Sequence, residues 1–278
     1  MEFTQEVRKA TDPIYQKISK IMPEIEWSVH APYIHRINQL KKEKNAIILA
    51  HNYQTPEIYH GISDVAADSL ALAIEASKTN ADIIVMAGVH FMAETSKLMS
   101  PEKKVLLPDM GAGCSLSSSV TGKDVRLLKE KYPGVPVVSY VNTSADVKAE
   151  TDICCTSANA VKIVESLGVK KVIFLPDDYL AKYVASQTNV EIIAWKGICM
   201  VHDQFNEKEI HDIRKNNPGI KIIAHPECPP EVIKASDFAG STGGMIDFVK
   251  NNQPKKVMMV TECSMSDNIQ VENPNVEF

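Results

Sequence analysis

Asn45-Ala-Ile-Ile-Leu-Ala-His51 is a short apolar run closed by a polar ring, and the layout recurs at Val135-Pro-Val-Val-Ser-Tyr140 and Gly219-Ile-Lys-Ile-Ile-Ala-His225. Near-continuous apolar runs of this length read as strands buried in a parallel sheet. In each copy a second run begins 31 residues after the ring, at Asp82, Lys171 and Lys256. A third follows at Val105-Leu-Leu, Val190-Glu-Ile-Ile and Val276-Glu-Phe. Equal intervals at a period of about 85–89 residues are too long for a solenoid and predict triplicated α/β units sharing a centre. The expected organisation is an N-terminal helical arm over residues 1–31, then three similar α/β units with short parallel sheets at 32–115, 116–200 and 201–278. They would be related by pseudo-threefold symmetry around a central site.

Phe3, Val7, Ile14, Ile18 and Ile21 give the arm an amphipathic pattern that Pro13 is expected to break. With 278 residues, 44% of them apolar, the chain can bury roughly 75% of its unfolded surface. The net charge is −5 with both signs interspersed, and no basic stripe alternates with aromatics. Nucleic acid is therefore not an expected partner. No apolar run of about 18 residues or more and no basic-then-apolar leader occurs, so the expectation is a cytoplasmic protein with no membrane partner. The six scattered cysteines are then expected to be reduced.

A small hydroxyl residue lies 16–18 positions after each ring: Ser69, Ser157, and Ser241 or Thr242, each ahead of a helical pattern. Two readings stay open. These residues are simple N-caps, or they mark helix N-termini whose free N–H groups and positive dipole ends bind carboxylate or phosphate. The first-strand ends offer Ala50-His51-Asn-Tyr53, Tyr140-Val-Asn142 and His225-Pro-Glu227, where α/β sheets bind ligands.

Cys114 and Cys199 each stand nine residues after the valine that opens a third run. The same offset in the third copy puts a cysteine near position 285, so the stop at Phe278 reads as a cut ahead of a third thiol. Both cysteines follow glycine-bearing turns, Gly111-Ala-Gly and Lys196-Gly-Ile, that permit close backbone approach. Three thiolates would suit zinc with a water or an iron–sulfur cube with one iron left open. Cys154 and Cys155 are expected in the core and Cys228 beside the His225–Glu227 segment, with Cys263 outside the ligand set.

Together these residues resemble quinolinate synthase, an iron–sulfur enzyme of pyridine-nucleotide biosynthesis. The resemblance covers about residues 32–278 and is carried by Ala50-His51-Asn-Tyr53, Asp68-Ser69, Ala87-Gly-Val-His-Phe-Met-Ala-Glu94, Gly113-Cys-Ser-Leu116, Tyr140-Val-Asn-Thr-Ser144, Thr156-Ser-Ala158, Gly197-Ile-Cys-Met-Val-His202, His225-Pro-Glu227, Gly240-Ser-Thr242 and Val260-Thr-Glu262. It implies a transferase that condenses iminoaspartate with dihydroxyacetone phosphate to quinolinate, losing phosphate and water, and a functional coupling to the enzyme that makes iminoaspartate. It also implies a [4Fe-4S] cluster held by one cysteine from each unit, whose open iron acts as a Lewis acid. Cys114 and Cys199 match two ligands, and residues 1–278 alone are expected to hold the cluster incompletely or not at all. His51, Tyr53, Ser69, Asn142, Ser157, His225, Ser241 and Thr242 match or adjoin substrate-binding positions, with Tyr140 and Glu227 serving both binding and proton transfer and His202 assisting beside the cluster. Two other readings compete: a cluster-free protein that binds phosphate or dicarboxylates at the three helix ends, and a zinc hydrolase.

Overall fold

The computed structural model describes residues 1–278. It divides into two compact units, Met1–Met110 with Cys263–Glu277, and Gly111–Glu262 with Phe278.

In the first unit, β1 (Ala46–His51), β2 (Val65–Ala67), β3 (Ile83–Ala87) and β4 (Lys104–Leu106) form a parallel sheet in the order β2-β1-β3-β4. β1 lies at the centre, so Leu49 and Ala50 are fully buried on its opposite faces. Helices Ser69–Lys78 and His90–Met99 supply the crossovers that parallel strands require. The helix Gln5–Ile18 runs through Pro13 without a break, contrary to the expected interruption. The missing Pro13 N–H would have bonded the Lys9 carbonyl one turn back; both residues are exposed, which leaves that carbonyl within reach of solvent. The helix Glu24–Glu43 is continuous across residue 31, and Ile18, Met22, Trp27, Ala31 and Ile34 form one buried cluster with Tyr15 stacked on Trp27.

The second unit holds two sheets of similar connectivity. β5 (Val137–Tyr140), β6 (Ile153–Cys155), β7 (Lys171–Leu175) and β8 (Glu191–Ala194) are ordered β6-β5-β7-β8. β9 (Lys221–Ala224), β10 (Phe238–Ala239) and β11 (Val257–Val260) are ordered β10-β9-β11. Every pairing is parallel, and each second run read from the sequence is a strand next to the first. The third run of the third copy is not: residues 276–278 form no named strand, and the last element is the helix Ser264–Glu272.

One tie recurs in all three sheets. Asp64, Asp152 and Asp237 stand just ahead of β2, β6 and β10, and each accepts the backbone N–H of a first-strand residue: Ile48 at 2.8 Å, Val137 at 2.7 Å and Ile222 at 2.9 Å. Each is also paired with a cation on the helix before the first strand, Lys41, Lys129 and Arg214 respectively. The carboxylate thereby satisfies a first-strand donor just ahead of the second strand's first paired residue and fixes the register of the second strand against the first.

Candidate active site

In a parallel sheet ordered second-first-third, the strand order reverses between the first and third strands, and the crevice at their carboxyl ends is the place for a ligand. The second unit has two such crevices. β5 ends in Tyr140 and β7 leads into Pro176-Asp177; β9 leads into His225-Pro-Glu227 and β11 into Thr261. Tyr140, Asp177, His225, Glu227 and Thr261 are all buried.

Glu227 joins the two crevices. Its Oε1 accepts the Tyr140 hydroxyl at 2.6 Å, and its Oε2 lies 3.1 Å from His202 Nδ1. The other ring nitrogen of His202 is 2.9 Å from the Thr261 hydroxyl, and the His202 and His225 rings stack with centroids 4.8 Å apart. Burial alone would push the Glu227 carboxyl up, but the His225 charge, the His202 hydrogen bond and charge, and the Tyr140 hydroxyl together hold it below the usual carboxylate range. A buried carboxylate kept charged by a phenol and two imidazoles is equipped to pass protons. His225 is oriented by its own backbone turn: Nδ1 accepts the Glu227 N–H at 3.3 Å, and Nε2 meets Ser157 Oγ at 3.3 Å.

The thiols of Cys114 and Cys199 sit in matched turns. Cys114 is followed by the 3-10 helix Ser117–Ser119 and Cys199 by the 3-10 helix His202–Gln204. In each case the two N–H groups two and three residues on, Leu116 and Ser117 or Val201 and His202, point at sulfur and favour the thiolate. Burial outweighs them, with Glu227 adding repulsion, so both thiols are pushed up and a metal must displace their protons on binding. Cys199 Sγ is 3.1 Å from His202 Nδ1, and Cys199, His202 and Glu227 bring ligand atoms within 4.8 Å of one another, a group that could hold a metal ion. Two N–H-lined thiols fit thiolate ligation of an iron–sulfur group.

The family model described as NadA, quinolinate synthetase A protein, matches residues 35–278. The chain belongs to the quinolinate synthase family. Quinolinate synthase of Sinorhizobium fredii is 59% identical over 278 residues, covering 100% of this chain and 77% of the relative. That of Caulobacter vibrioides is 59% identical over 280 residues, covering 99% and 76%, and that of Xylella fastidiosa 61% over 245 residues, covering 88% and 72%. Members of the quinolinate synthase family are enzymes of NAD biosynthesis. No helix is long and apolar enough to cross a membrane.

Of the residues expected in the site, Tyr140, Ser157, Cys199, His202, His225 and Glu227 form one connected constellation in the second unit. Asn142 lies in the turn after β5, and Thr242 is buried at the start of the helix Thr242–Asn252. Only Ser241 is an N-cap, accepting the Gly244 N–H. Asp68, not Ser69, caps the helix Ser69–Lys78, and Ser157 stands in the turn ahead of a helix that begins at Ala160, so those two hydroxyls are left to other partners. In the first unit, His51 ends β1 and accepts the Tyr53 N–H on Nδ1 at 3.3 Å, the same turn that holds His225, with the Tyr53 ring edge-on at 4.7 Å. Cys155 is buried as expected, but Cys154 is exposed, because successive residues of β6 face opposite sides of the sheet; Cys228, next to Glu227, is also buried. Cys263 is exposed beside the helix Ser264–Glu272.

Sequence reading missed Asp177. It is fully buried; Oδ1 caps the helix Asp178–Gln187 by accepting the Leu180 N–H, and Oδ2 has no partner. Burial and the Glu227 charge push its carboxyl up to about 8. An unfolded Asp titrates near about 3.9, so between pH 4 and 8 the folded state alone holds this proton, and the group's contribution falls by about 1.4 kcal/mol per pH unit as pH rises. Asparagine caps equally well and does not ionise. Asp177→Asn is therefore expected to gain stability relative to the parent as pH rises from 5 to 8, by a few kcal/mol, measured by urea unfolding. An offset independent of pH would show the carboxyl to be charged throughout.

Proposed function

We propose that the protein condenses iminoaspartate with dihydroxyacetone phosphate to quinolinate, with loss of phosphate and water, in a cytoplasmic step of NAD biosynthesis. The observation that carries this reading is the buried chain from the Tyr140 phenol through Glu227 and His202 to the Cys199 thiol. Cys114 and Cys199 would supply two thiolate ligands to a [4Fe-4S] cluster. When bound, that group supplies a Lewis-acidic iron that draws electron density from a substrate oxygen.

The chain's own residues do the rest. Tyr140 and Glu227 form a donor–acceptor pair that takes a proton from a carbon beside a carbonyl and returns one to a departing hydroxyl. The Tyr140 O–H can be lent to substrate while Glu227 stays charged through His202 and His225. Ser157 and His225 present a hydroxyl and a ring nitrogen at one crevice, and Ser241 and Thr242 mark a helix N-terminus suited to carboxylate or phosphate. Asn142 adds an amide at the end of β5, and His51, Tyr53 and Ser69 play like parts at the corresponding strand and helix ends of the first unit. We further propose that the three α/β units, with boundaries near residues 115 and 200, are related by a pseudo-threefold axis with one thiol from each.

The test is anaerobic reconstitution of the full-length protein with iron and sulfide, followed by assay. Broad absorbance near roughly 400 nm together with quinolinate formation is the expected result. A colourless, iron-free protein that forms quinolinate would sink the cluster, and a protein that binds phosphate or dicarboxylates without turnover, indifferent to Cys114→Ser, would point to anion binding alone.

A further inference from the structure

The segment that carries Cys199 is seated on the segment that carries Cys114 by three ties. Trp195 Nε1–H donates to the Ser119 carbonyl at 3.1 Å. Gly197 lies so close that an added Cβ would come within 2.4 Å of the Pro176 carbonyl oxygen and 2.5 Å of Ser119 Oγ. The third tie is the Ser115 hydroxyl, which donates to the Ile198 carbonyl at 3.0 Å and accepts the Met200 N–H at 3.1 Å. Ser115 directly follows one thiol, and the two groups it bridges directly flank the other.

That placement goes beyond local capping. A hydroxyl has one donor and two acceptor sites, and here it uses both functions on one peptide segment 83 to 85 residues away. The matched N–H turns orient each thiol within its own segment; Ser115 fixes one segment against the other. Resting on the reading of Cys114 and Cys199 as a ligand pair, we infer that Ser115 is a positioning residue that sets the spacing of the two thiols before the metal arrives. Without it, the Cys199 turn is still held at Trp195 and Gly197 but swings free at the residues beside sulfur, and metal binding must supply the ordering.

The experiment titrates Co²⁺ into iron-free, full-length protein without oxygen and reads the thiolate-to-cobalt absorption against a competing chelator. Ser115→Ala is expected to weaken Co²⁺ binding about tenfold, the effect of one to two lost hydrogen bonds, and to change the shape of the band, while Ser115→Thr, which keeps the hydroxyl, restores both. Cys114→Ser and Cys199→Ser should each lose most of the band. If both cysteine variants keep the parent's band, the ligand-pair reading fails and the inference with it. If they lose it while Ser115→Ala matches the parent, the positioning role alone is overturned. Hydrogen exchange on the parent protein gives a variant-free check: the Met200 amide should be protected, and free exchange there would refute the tie.

Discussion

Glu227→Gln is expected to lower quinolinate formation by about 10²–10⁴-fold, the loss typical of a removed acid–base group, while leaving iron content and iron–sulfur absorbance in place. Glutamine has nearly the same shape and can still accept the Tyr140 hydroxyl, so the fold has little reason to change. It cannot take a proton, and it removes the negative charge that Cys114, Cys199, Cys228 and Asp177 all feel as an upward push on their own protons. The variant should therefore show a second signature: iron-free Cys199 should react faster with an alkylating reagent at fixed pH. The acid side follows from the same group. Because the folded state holds Glu227 below the usual carboxylate range, its stabilising contribution is present above the unfolded value of about 4.3 and is lost as pH falls. A Glu227→Gln enzyme with parental turnover would remove this carboxylate from the chemistry.

Cys114→Ser and Cys199→Ser are each expected to leave the reconstituted protein with little iron and no stable visible absorbance, whereas Cys155→Ala should keep both. A metal ligand must shed its proton, and a serine hydroxyl does so far less readily than a thiol. The matched turns make the contrast sharper: the Leu116 and Ser117 or Val201 and His202 N–H groups can offset part of the cost of a thiolate but not that of an alkoxide. Cys155 sits in the core with its thiol pushed up by burial and its neighbour Cys154, and no matched turn surrounds it. Iron determination after gel filtration reads the result, and full iron content in either serine variant would exclude that thiol as a ligand.

Much of this was legible in the sequence because buried parallel strands are written as uninterrupted apolar runs, and the equal intervals between them placed β1, β3, β5, β7, β9 and β11. The glycine argument held at Gly197, where backbone approaches backbone, but Gly113 has nothing closer than 3.7 Å to a built Cβ, so spacing alone did not say which glycine a contact required. Asp64, Asp152 and Asp237 were visible at near-constant offsets, yet a carboxylate before a short strand looks like any solvated loop residue until its N–H partner is known. Asp177 was hidden for the same reason, since Asp177-Asp178 ahead of a helix reads as ordinary capping and burial of one of the pair is a tertiary fact. Pro13 misled because a proline's cost depends on whether the orphaned carbonyl can reach water, which a linear pattern does not show.

The backbone turn shared by His51 and His225 has a chemical consequence of its own. Each ring spends its Nδ1 lone pair on the N–H two residues ahead, so a neutral ring carries its proton on Nε2 and has no basic nitrogen left to offer. In that neutral form each ring presents Nε2–H as its donor, held in place by the turn. The same turn, written twice in the chain, thus sets the tautomer of a strand-end histidine from the backbone alone, with no second side chain needed to choose it.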